Sequence, residues 1–160
     1  MGFRIGQGYD VHQLAFGEEL WLGGIQIPHV KGTVAHSDGD VLLHAICDAL
    51  LGAAGLRDIG YHFPDTDQKY KNIDSKKLLS EVYRKVMEKG YRLGNLDATI
   101  SAQQPRLKDW IPFMENTIAE ILDSSVDQVN IKATTTEKLG FEGREEGISV
   151  QAVVLIVSPD

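Results

Sequence analysis

The stretch Ile148-Ser149-Val150-Gln151-Ala152-Val153-Val154-Leu155-Ile156-Val157 constrains the fold more than any other in this chain. A strand with one wet face alternates apolar and polar residues, whereas here apolar side chains fall on both faces. The segment therefore predicts a strand covered twice, by helices on one side and by another subunit on the other. The rest of the chain must supply strands beside it and helices above it.

Phe3 to Leu14 reads as one such strand, with Gly6 and Gly8 marking either a bulge or a close approach by another segment. Leu20 to Pro28 reads as a hairpin turning at Gly23-Gly24. Leu96 to Ala102 and Val129 to Ala133 are further strands, the first ended by Pro105 and the loop Gln103 to Lys108. Three helices alternate with them. The apolar tail Val41-Leu42-Leu43, Ala45-Ile46, Leu50-Leu51 predicts a helix starting near Asp38 and ending between Gly52 and Gly55. Asp74-Ser75 opens a second helix with the stripe Leu78, Leu79, Val82 and Val86, stopped at Gly90. Trp110 to Leu122 is the third. This order implies an α/β fold, an α+β two-layer sandwich with a mostly four-stranded mixed sheet and helices on one face. With 160 residues it reads as a single domain, 1–160.

Acidic residues outnumber basic ones, 23 to 16, which excludes the basic stripe of a nucleic-acid binder. The absence of a long apolar run and of a leader pattern points away from the membrane, and the single Cys47 fits a reducing, cytoplasmic setting.

The chemistry gathers in Ala35-His36-Ser37-Asp38-Gly39-Asp40, at the entry to the first helix. Asp40, His44 and Asp48 follow at one-turn spacing, with Ser37 or Asp38 able to cap. Asp10 and His12, two apart on a strand, point to one face. Each group has a bland reading, a helix cap or a surface Asp-His pair. Together Asp10, His12 and His44 supply the two imidazoles and one carboxylate of a catalytic zinc site with a position left for substrate. Asp58 to Asp67 is either a loop holding sugar hydroxyls or a solvated polar loop. Thr134-Thr135-Thr136-Glu137-Lys138 suits phosphate and a phosphate-bound cation, or is a Thr-rich strand end. Nucleophile elbow, Walker loop and dinucleotide fingerprint are all missing, so phosphate chemistry here runs on positioning and cations.

Tyr9-Asp10-Val11-His12, Ala35 to Asp40, Asp58-Ile59-Gly60, Phe63-Pro64-Asp65-Thr66-Asp67 and Lys132 to Phe141 resemble, in order and spacing, the motifs of the 2-C-methyl-D-erythritol 2,4-cyclodiphosphate synthase family. The resemblance runs from about residue 3 to 157, without a cytidylyltransferase portion, as in the stand-alone form. It implies conversion of 4-diphosphocytidyl-2-C-methyl-D-erythritol 2-phosphate to the cyclic diphosphate and CMP, in the non-mevalonate route to isoprenoids. It implies zinc on Asp10, His12 and His44, magnesium or manganese on Glu137, and transition-state stabilisation by His36 and Thr135. Asp58 and Gly60 would meet the ribose and sugar side, and Phe63, Asp65 and Asp67 would line the erythritol pocket. The loop Ala102, Pro105, Arg106, Leu107, Lys108 would read cytosine, with Ser37, Thr134, Thr136 and Phe141 as further substrate contacts. It also implies a homotrimer with interfacial sites, and an anion or prenyl diphosphate held by Arg144 at the trimer axis. Arg106, Tyr9 and Gln7 depart from the family's frequent lysine, phenylalanine and histidine. A zinc-dependent phosphoesterase acting on a nucleotide diphosphate is the alternative reading of the same ligands.

Overall fold

In the computed structural model, which describes residues 2–159, the apolar C-terminal segment forms strand β7 (Gly147–Ser158) at the centre of the main sheet. Its neighbours are β1 (Gly2–Phe16) and β5 (Arg92–Ser101), both antiparallel to it. The edges are β4 (Lys31–Thr33), antiparallel to β1, and β6 (Val129–Thr134), parallel to β5. The order β4-β1-β7-β5-β6 makes five strands, one more than expected. The additional strand is three residues long, too short for an alternating pattern to show. The hairpin β2 (Leu20–Leu22) and β3 (Ile25–Ile27) stands apart as its own two-stranded sheet, with Gly23 and Gly24 both at positive φ as a tight turn requires.

Helices α1 (Val41–Ala53), α3 (Ser75–Glu88) and α4 (Ile111–Ile121) cover one sheet face, while α2 (Ile59–His62) and α5 (Gly140–Gly143) are single turns. Leu42, Leu43, Ile46, Leu50 and Leu51 of α1 are sealed from solvent, and side chains of this size each contribute roughly 1.5–3 kcal/mol on burial. The helix lies directly on β1. A Cβ on Gly8 would sit 1.9 Å from the carbonyl oxygen of Ala45, and one on Gly6 would sit 2.0 Å from that of Ala49. The β1–β7 register runs without interruption from Gly2↔Ser158 to Gln13↔Gly147, so these glycines serve close approach and mark no bulge.

Helix α1 begins at Val41, later than the expected start near Asp38, and its cap is Asp40 instead of Ser37 or Asp38. Asp40 is wholly buried, and its carboxylate accepts from the backbone N–H groups of Leu43, Gly23 and Gly24. One side chain thus caps the helix and clamps the hairpin to it.

Alternation divides the two faces of the sheet. Gly8, Asp10, His12 and Leu14 of β1 look toward the helices, while Phe3, Ile5, Tyr9 and Val11 look away. Phe3 and Ile5 remain 72% and 71% exposed, and Val153 of β7 is also exposed. Among the described residues of one chain, nothing covers that apolar face.

Candidate active site

Asp10 and His12 reach the helix-facing side of β1, and α1, packed against the glycines beside them, lowers His44 onto the same point. Oδ2 of Asp10 lies 3.1 Å from Nε2 of His12 and 3.3 Å from Nδ1 of His44. The two ring nitrogens are 3.2 Å apart. Oδ2 is buried, and no aligned hydrogen bond satisfies it despite these short separations. A buried carboxylate oxygen without a donor, facing two imidazole nitrogens, is the arrangement a metal ion completes. The residues therefore fit a metal, and the metal-binding reading of Asp10, His12 and His44 has its geometry. Burial pushes the Asp10 carboxyl upward, but His12 and His44 outweigh it and hold the group at about 2. Burial works against the charged form of His44, yet Asp10 raises it above the usual histidine value.

The outer edge of His44 is held as well. Its Nε2 lies 2.9 Å from Oγ of Ser75, with Oγ of Ser37 at 3.5 Å. Asp38 accepts from the Ser75 hydroxyl at 2.5 Å, from the Ser75 amide at 2.8 Å and from the Asp40 amide at 3.1 Å. Ser75 was not among the expected site residues, and Asp38 was expected only within the motif before the helix and as a possible cap. Ser75 reads locally as the first residue of a capped helix, and its contact with His44 exists only across the fold.

A cavity of about 320 Å³ opens beside the triad. His36, Ser37, Phe63 and Asp65 line it with His12 and His44, joined by Ile59, Tyr70 and Ile73. Asp58 and Asp67, expected to meet substrate, cap short helical turns through the amides of Tyr61 and Lys69. Asp48, one turn beyond His44, accepts from the Ile59 amide at 2.8 Å and ties α2 to α1, while Gly60 lies in α2 and is exposed.

The remaining expected residues form a second group. The Ala102 amide donates to the Thr134 carbonyl at 3.0 Å, and the Lys138 amide donates to Oε1 of Gln103 at 3.1 Å. The loop Ala102 to Lys108, with a cis bond before Pro105, therefore abuts Thr134 to Glu137. Thr135 accepts from the Glu137 amide, and Glu137 is exposed with its backbone at positive φ. Arg106 and Lys108 are exposed and Leu107 is buried. Thr136 donates to the Leu139 carbonyl and is thereby turned inward to its own loop. Phe141 lies in α5, and Arg144 at its end pairs with Glu146 at 2.8 Å.

These two groups do not meet within one chain. β1 and β6 are separated by β7 and β5, three strand spacings or roughly 14 Å. By alternation, Thr134 also points to the face opposite His12.

The fold and the site define an α/β protein with a candidate metal centre at the mouth of a cavity sized for a small molecule. The chain belongs to the YgbB family, whose sequence signature matches residues 3–157. It is 62% identical over 156 residues to the 2-C-methyl-D-erythritol 2,4-cyclodiphosphate synthase of Bacteroides thetaiotaomicron, covering 98% of each chain. Among solved structures it is similar to the bifunctional IspDF of Campylobacter jejuni, with TM-score 0.95 and 49% identity. That match covers 99% of this chain, which spans only 43% of the bifunctional protein. It is also similar to the CDP complex of IspF from Plasmodium falciparum, with TM-score 0.88, 33% identity, and coverage of 99% and 98%. Among the described residues no helix is long and apolar enough to cross a membrane.

Proposed function

We infer that this chain is a cyclising, CMP-releasing phosphorus–oxygen lyase. It converts 4-diphosphocytidyl-2-C-methyl-D-erythritol 2-phosphate to 2-C-methyl-D-erythritol 2,4-cyclodiphosphate in the non-mevalonate route to isoprenoids. The observation that carries this reading is the convergence of Asp10, His12 and His44 beside a cavity, in a chain matching the YgbB family over residues 3–157. The 2-phosphate of the substrate is already an anionic nucleophile, so no protein base is needed. What the protein must do is fold the substrate back on itself, and well-oriented intramolecular attack can be worth about 7–11 kcal/mol.

Asp10, His12 and His44 would hold zinc, a choice supported by a nitrogen and oxygen donor set without cysteine. When bound there, the ion supplies positive charge to phosphate oxygens. Glu137 would hold magnesium or manganese, the hard ions that carboxylate oxygens prefer. His36 is accessible beside the metal ligands, and we assign it with Thr135 to stabilising the closing phosphates. Phe63 and Asp65 line the sugar end, and the loop Ala102 to Lys108 receives cytosine through backbone groups. In this reading residues 1–160 act as one domain, in the cytoplasm, where the buried Cys47 thiol stays reduced.

The active unit is a homotrimer. The separation of the Asp10–His12–His44 group from the Thr134–Glu137 group supports a site completed by the second group of a neighbouring copy. The uncovered apolar face of β1 and β7 supplies the surface for that association. Arg144, exposed near one end of β7, would face an anion such as a prenyl diphosphate along the axis.

Phosphorus NMR of purified protein with the cytidine substrate tests the reaction. CMP with a cyclic diphosphate is expected. A linear diphosphate would instead identify the less favoured zinc-dependent phosphoesterase.

A further inference from the structure

We propose that Ser75, held by Asp38, is a positioning residue that fixes the tautomer of His44 and so aims the bare Nδ1 at the metal centre. The argument is a count of protons. A serine hydroxyl has one hydrogen, and Asp38, an acceptor only, takes it at 2.5 Å. Toward His44, 2.9 Å away, the same hydroxyl can then act only as acceptor. A proton on Nε2 of His44 completes that contact, and the absence of an aligned hydrogen bond to Oδ2 of Asp10 argues against one on Nδ1. A neutral imidazole has a single N–H, which leaves Nδ1 as a lone pair. That nitrogen is the one lying 3.3 Å from Asp10 and 3.2 Å from His12.

The supporting groups are themselves anchored. Ser75 is fully buried at the start of α3, and its amide donates to the other oxygen of Asp38 at 2.8 Å. Asp38 also receives the Asp40 amide, so the chain of bonds links α3, the loop before α1, and the metal ligand on α1. The Ser37 hydroxyl, 3.5 Å from Nε2, accepts from the Gly39 amide and offers the N–H a second, weaker acceptor. Partners of this kind raise ligand basicity and orient the ring, and their loss typically costs 10–100-fold in metal affinity.

The inference rests on the metal-site reading above, and the test separates the two. In metal-free parent protein at alkaline pH, long-range nitrogen–proton NMR should show His44 as the Nε2–H form. This needs no substitution, so it cannot be confounded by folding. Ser75→Ala keeps the amide bond to Asp38 and removes only the hydroxyl. It should mix the tautomers, shift the absorption spectrum of the cobalt(II)-loaded protein, and lower zinc affinity 10–100-fold by chelator competition. Ser75→Thr, which restores a hydroxyl, should recover both. Finding Nδ1–H in the parent, or zinc affinity in Ser75→Ala within twofold of the parent, overturns the proposal. Should the parent show Nε2–H yet bind neither zinc nor cobalt, the metal reading fails, and with it the role assigned here, while the tautomer assignment stands.

Discussion

Asp40 and Gly24 are 16 residues apart in sequence, and Oδ2 of the one accepts from the amide of the other at 2.7 Å. Since the other oxygen serves Gly23 and Leu43, this single buried carboxylate joins the β2–β3 turn to the start of α1. Burial raises the carboxyl against the pull of those three amides. Asp40→Ala strips a cap and leaves buried N–H groups without partners, a loss of about 3 kcal/mol or more. Urea unfolding should show a lower midpoint with little change of slope.

The contact of α1 with β1 gives a contrasting pair of glycine substitutions. Gly8→Ala would drive a methyl into the Ala45 carbonyl and push the helix bearing His44 away from Asp10 and His12. Metal content measured by elemental analysis should fall together with stability. Gly52→Ala, on the exposed side of the same helix with open space around it, should stabilise by about 1 kcal/mol and leave metal content unchanged.

In metal-free protein the Asp10–His44 pair should impose a pH window. Asp10 is held at about 2, below its ordinary 3.8, so its contribution is complete above 3.8 and is lost as pH falls toward 2. His44 is raised above 6.5, so its contribution is complete below 6.5 and is lost as pH rises through the folded value. The stability gap between parent and Asp10→Asn, both in chelator, should therefore be widest between 3.8 and 6.5. Thermal unfolding across pH checks this, and a gap independent of pH would refute it.

Removing metal should separate the two ions. His44→Ala is expected to lose zinc and turnover while keeping its assembly state, read by elemental analysis and light scattering. Glu137→Gln, altered in the exposed group away from the triad, should retain zinc but respond less to added magnesium or manganese. Identical metal dependence in Glu137→Gln and parent would count against that role.

Much of the fold was legible because its signals are local. The apolar run of β7, the stripe of α3 and the Gly23-Gly24 turn each announce themselves within a dozen residues. The Asp10–His12–His44 set was legible for a related reason. Strand alternation put the first two on one face, and the one-turn spacing of Asp40, His44 and Asp48 at the start of α1 supplied the third. The edge strand β4 was not, because three residues carry no period. The capping of short helical turns by Asp58 and Asp67 was not legible either, because it depends on backbone geometry that no sequence pattern carries.

By itself, the chain's order of apolar residues determined which segments become strands and helices, since burying them is the dominant favourable term in folding. It also determined which donor types were available for a metal. Only the tertiary structure decided that Ser75 would hold the far side of His44, that Asp40 would clamp a hairpin, and that Thr134 to Glu137 would lie three strands from the triad. Those relations depend on hydrogen bonds and strand order between distant segments. Hydrogen bonds act over about 3 Å and leave no periodic trace in the sequence.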